Sequence, residues 1–70
     1  MLLKTFMTVC NNSKLTLSVW NGGTFIKEYH IDYMNDPEDF QKTILLCENF
    51  RIDDVIGKNH SMYIELDTAR

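Results

Sequence analysis

Proline and cysteine are scarce in these 70 residues, at one and two, and glycine occurs only three times. There is no repeat, linker or low-complexity segment. The composition is ordinary for a globular domain and argues against disorder. No apolar run approaches the ~20 residues that a membrane span requires. Met1-Leu2-Leu3-Lys4-Thr5-Phe6-Met7 has no basic stretch ahead of an apolar block, so it does not read as a signal peptide. The expectation is a soluble cytoplasmic protein, in which Cys10 and Cys47 are reduced thiols rather than a disulfide framework. A single bridge between them is the alternative.

Clustered basic charge is also missing. Residues 1–31 carry three lysines against one glutamate, a net of +2, and residues 32–70 carry four basic against nine acidic side chains, a net of −5. Scattered lysines do not make a nucleic-acid footprint, which needs a basic stripe. The acidic half repels phosphate backbones and attracts basic protein surfaces. No phosphate-cradling loop is present, because Gly22-Gly23 follows a strand pattern with no helix behind it.

What the sequence does contain is a hairpin signal. Asn21-Gly22-Gly23 separates two runs of strand formers, Leu15 to Trp20 and Thr24 to Ile31. A two-residue loop, Asn21-Gly22, places Leu15, Leu17 and Val19 on one face with Thr24, Ile26 and Glu28. A three-residue loop with Gly23 in the left-handed region places them with Phe25, Lys27, Tyr29 and Ile31. The second gathers more apolar surface and is the preferred register. Lys27 is its one misfit, tolerable on an edge strand where an inward lysine discourages edge pairing.

Leu2 to Cys10 reads as a preceding strand, closed by a turn at Asn11-Asn12-Ser13. Its addition completes a meander whose outer face includes Phe6, Trp20 and Ile26. A helix follows. Asp36 suits the N-cap and Pro37 the first helical position; Glu38 and Asp39 complement the helix dipole. Phe40, Ile44 and Cys47 recur at helical spacing, and the helix is expected to end near Phe50 or Arg51. Ile52 to Gly57 is ambiguous between strand and irregular chain, and Gly57-Lys58-Asn59-His60 reads as a turn. Met62 to Leu66 alternates as a last strand, with Met62, Ile64 and Leu66 inward and Tyr63 and Glu65 outward. The expected fold is a single α+β domain, a three- or four-stranded antiparallel sheet in β-β-β-α-β order with one helix on one face.

Few residue patterns carry chemistry. Cys10, His30, Cys47 and His60 show none of the close spacings of structural zinc sites. Cys47 on the apolar helix face reads as a small core residue rather than a nucleophile. The carboxylates could serve a metal-dependent hydrolase or nuclease only if two or three converged. The strand order is loosely similar to the opening of ribonuclease-H-like folds. That family places an acidic residue on its first strand, and Leu2 to Cys10 contains none.

These readings point to a non-enzymatic protein-binding module with no cofactor or metal. Its expected partner surface combines Phe6, Trp20 and Ile26 with the acidic residues Asp32, Asp36, Glu38, Asp39, Asp53 and Asp54. The apolar row is alternatively a minicore beneath residues 52–60. The expected partner is another protein with a basic nucleic-acid-binding surface. One form of this is an inhibitor or modulator of a nucleic-acid-processing enzyme, as compact acidic proteins of viruses and mobile elements often are. The alternatives are a small oligomeric metal-dependent hydrolase and a structural homo-oligomer.

Overall fold

The computed structural model describes residues 1–58 and 61–68. The fold is α+β, and the described residues form four strands and two helices in the order α1 (Leu3–Met7), β1 (Lys14–Asn21), β2 (Thr24–Asp32), α2 (Pro37–Cys47), β3 (Arg51–Lys58) and β4 (Ser61–Asp67). The strands form one sheet in the order β2-β1-β4-β3. β1 pairs antiparallel with β2, and β4 with β3, but β1 and β4 run parallel at the centre. The sheet is therefore mixed, two hairpins side by side, and not the antiparallel meander expected. β1 is a central strand, and it carries no charge between Leu15 and Trp20.

The largest departure is the N-terminal segment. Leu2 to Cys10 is not a strand: residues 3–7 form a helix. Five residues make too few hydrogen bonds to sustain a helix alone, so its stability comes from packing. Leu3 is fully buried, and Phe6, Met7 and Cys10 lean against the same core. Those positions are i, i+3, i+4 and i+7, the helical period, which the β-branched Thr5, Thr8 and Val9 mask in sequence. Two amides of the first turn find acceptors elsewhere: Leu3 N–H donates to the Phe50 carbonyl at 3.0 Å and Lys4 N–H to that of Glu48 at 2.9 Å. The adjoining Met1-Leu2 lies along the start of β3, where Ile52 N–H donates to the Met1 carbonyl at 2.8 Å.

The β1–β2 hairpin has the expected faces by a different route. Leu15 pairs with Ile31, Leu17 with Tyr29 and Val19 with Lys27. The loop itself is Gly22-Gly23, closed by the Asn21–Thr24 pair. Gly22, not Gly23, takes the positive φ, +64°. A glycine with positive φ at the first loop position alone fits a type II′ turn, whose twist matches the strands. The odd residue is absorbed between Val19 and Trp20, where Ile26 stands as a bulge. Beyond it Phe25 pairs with Trp20, on the face opposite the one expected. β2 is an edge strand, and Lys27, opposite Val19, extends its ammonium over the Tyr29 ring at 4.7 Å.

α2 begins as its sequence dictates. The Asp36 carboxylate accepts the Asp39 amide at 3.1 Å, and Pro37 opens the helix. It ends at Cys47, earlier than expected, because Arg51 already belongs to β3. Phe40, Thr43 and Cys47 are buried and Ile44 half-buried. Burial in apolar surroundings pushes the Cys47 thiol up from 9.0 to about 11. Gly57 and Lys58 lie in β3, so the turn expected there is not at those positions; Asn59 and His60 lie outside the described residues. β4 has the alternation expected, with Ile64 and Leu66 fully buried.

The core is one cluster of Leu3, Leu15, Leu17, Val19, Ile31, Phe40, Cys47, Ile64 and Leu66. It lies on the inner face of the sheet, under α1 and α2. Neither helix packs over the outer face.

Candidate functional site

Alternation along each strand sends every second side chain to the outer face. Where β2, β1, β4 and β3 pair, those residues line up in rows. One row is His30, Thr16, Tyr63 and Ile56. The next is Glu28, Ser18, Glu65 and Asp54, and the third is Phe25, Trp20, Asp67 and Arg51. Three carboxylates thus share the middle row, with aromatic residues on both sides.

The middle row is electrostatically unfavourable within the chain. Glu65 and Asp54 stand directly opposite on neighbouring strands. Like charges in that relation destabilise a sheet. Asp54 accepts the Val55 amide at 2.9 Å, and Glu65 accepts the Tyr63 hydroxyl at 3.4 Å. No ion pair within the described residues involves either one. Glu28 is partnered by His30, Nε2 to Oε2 at 3.1 Å, while His30 Nδ1 lies 3.3 Å from the Thr16 hydroxyl.

Trp20 closes the third row. Its indole N–H donates to the Ser18 hydroxyl at 2.9 Å, and Ser18 is buried at 2% exposure. Phe25 meets the indole edge-on at a centroid distance of 5.4 Å. Buried Asp67 ties this end together, accepting the Gly22 amide at 3.1 Å. Arg51 reaches Asp67 with Nη2 at 3.6 Å and Asp53 with Nε at 3.1 Å. A shallow niche of about 210 Å³ opens beside the indole, lined by Trp20, Gly22, Asp53 and Glu65.

The residues proposed from sequence are scattered more widely. Phe6 is half-buried on α1 against the core, so it does not join Trp20. Ile26 is exposed at the β2 bulge, and Phe25 takes the place beside Trp20. The minicore expected under residues 52–60 is not formed by the described part of that segment, which is β3, a strand of the same sheet. Asp32, the last residue of β2, accepts the Met34 amide at 3.1 Å. Asp36 caps α2, Glu38 and Asp39 lie in its first turn, and Asp53 and Asp54 lie on β3, the opposite edge strand. The acidic residues therefore make two groups, of which only Asp53 and Asp54 adjoin Trp20's end of the outer face.

Glu65 and Tyr63 were legible as outward positions. Their neighbours, Ser18 and Asp54 for Glu65 and Thr16 and Ile56 for Tyr63, were not, because these depend on β4 inserting between β1 and β3. Among the described residues no three His, Cys, Asp or Glu side chains are placed to hold one metal ion. No helix within them is long and apolar enough to cross a membrane.

Fold and surface together define a small α+β domain of paired hairpins with one uncovered, acidic and aromatic sheet face. No protein-family model, curated protein or solved structure matches the chain.

Proposed function

We propose that this protein is a non-enzymatic binding module that docks its outer sheet face on a basic surface of another protein. The observation that carries this reading is the Glu65–Asp54 pair. Two carboxylates face each other with no cation paired to either among the described residues, at a cost to the free chain that a basic partner would remove. Trp20, Phe25 and Tyr63 supply the aromatic anchors that dominate binding energy at such surfaces. A form consistent with this charge is an inhibitor or modulator that occupies the nucleic-acid channel of a processing enzyme. The same row disfavours self-association through this face, since two copies would bring their carboxylates together.

The test is capture from an extract of cells that encode the protein, using immobilised wild type and the Asp54→Asn/Glu65→Gln double variant. The expected result is a protein retained by wild type, released by duplex DNA and lost by the variant. Retention that the two neutral substitutions leave unchanged would overturn the reading.

A further inference from the structure

We infer that the niche between Trp20, Gly22, Asp53 and Glu65 is an arginine-binding site, filled by a guanidinium from the partner protein. The inference rests on the docking face proposed above and names the chemistry it reads. The niche holds two kinds of wall. An indole is the best aromatic platform for a cation. Two carboxylates offer acceptors to a donor arriving over it.

The local charge is unbalanced. Arg51 is already engaged with Asp53 and Asp67, while Glu65 and its neighbour Asp54 have no cation within the described residues. A second guanidinium stacked near Trp20 can donate to Glu65 and relieve its repulsion with Asp54. Arginine fits better than lysine, because its planar head stacks on the ring while its edge still donates to a carboxylate. An ammonium is a hydrated point charge and gives up more water. The site is also held firm. The Trp20 indole N–H is fixed on Ser18, and Gly22 is tied through its amide to buried Asp67. Preorganised groups lose little freedom on binding.

The chain has a single tryptophan, so its indole N–H signal is assigned in an NMR spectrum without ambiguity. The experiment titrates the labelled protein with a capped Gly-Arg-Gly peptide, with the lysine analogue, and with the citrulline analogue, which keeps the shape without the charge. The expected result is a saturable shift of the Trp20 indole and Gly22 amide signals with arginine, weaker with lysine and absent with citrulline. Glu65→Gln should weaken arginine binding about tenfold, as loss of a charge-assisted hydrogen bond does. Equal response to citrulline, undiminished binding by Glu65→Gln, or no saturable shift would overturn the site. If the arginine peptide fails while the double variant still loses the captured protein, the niche is wrong and the docking face stands. If the peptide binds but capture ignores the substitutions, the reverse holds.

Discussion

Replacing Asp54 by asparagine should make the free protein more stable. Asp54 and Glu65 are a directly opposed cross-strand pair, so their β-carbons stand about 5 Å apart. With charges near 6 Å, the repulsion in a water-like dielectric is roughly 0.7 kcal/mol. Cross-strand pairs contribute about 0.2–1 kcal/mol in general, which brackets that figure. Asparagine keeps the acceptor oxygen for the Val55 amide, so the local turn of the chain is preserved. In a domain of this size about 1 kcal/mol moves the midpoint by ~4–8 °C, and the gain from roughly 0.7 kcal/mol is therefore ~3–6 °C. The assay is thermal unfolding followed by circular dichroism at low salt and at about 1 M salt. At the higher concentration the screening length is roughly 3 Å and the gain should vanish. Asp53→Asn is the control of opposite sign, because it removes the Arg51 ion pair and relieves no opposed carboxylate. An unchanged or lowered midpoint for Asp54→Asn, or a gain that persists at high salt, would refute the electrostatic reasoning and with it the main support for a basic partner.

Leu17 is fully buried on central strand β1, and Leu17→Ala should cost about 2–5 kcal/mol by urea unfolding. A loss below roughly 0.5 kcal/mol, the level of surface sites, would contradict the inner-face assignment. Gly22→Ala forces a side chain to φ +64° and should cost ~1–2 kcal/mol, whereas Gly23→Ala meets open space without positive φ and should stay within ~0.5 kcal/mol. The reverse order would move the left-handed position to Gly23. The Cys47 thiol is buried and raised to about 11, so a thiol reagent at pH 8 should label Cys10 quickly and Cys47 only on unfolding. Because the unfolded thiol loses its proton near 9.0 while the folded one keeps it to about 11, unfolding is increasingly favoured across that window. Cys47→Ala should flatten that part of the stability-against-pH curve.

Local signals settled much of this protein from the sequence. The α+β class, the second hairpin strand, the capped start of α2 and the alternation of β4 are each written in spacing and end residues. Asp36, Pro37 and the period from Phe40 to Cys47 define the helix because capping and amphipathicity act within a few residues. The inner-face membership of Leu15, Leu17 and Val19 likewise follows from the side-chain period of a strand. The position of the glycine loop did not follow, since a bulge can absorb one residue and restore the same faces.

Tertiary structure decided the rest. Leu2 to Cys10 carries strand formers as well as a helical spacing, and the choice fell to helix once Leu3 could be buried and its amide bonded to Phe50. Nor could the sequence place β4 beside β1 in parallel, because strand order is fixed by how α2 carries the chain across the inner face. That crossing sets Glu65 between Ser18 and Asp54 and brings the carboxylate row together with Trp20. Periodicity says which way a side chain points; only the packing of distant segments says which side chain stands next to it.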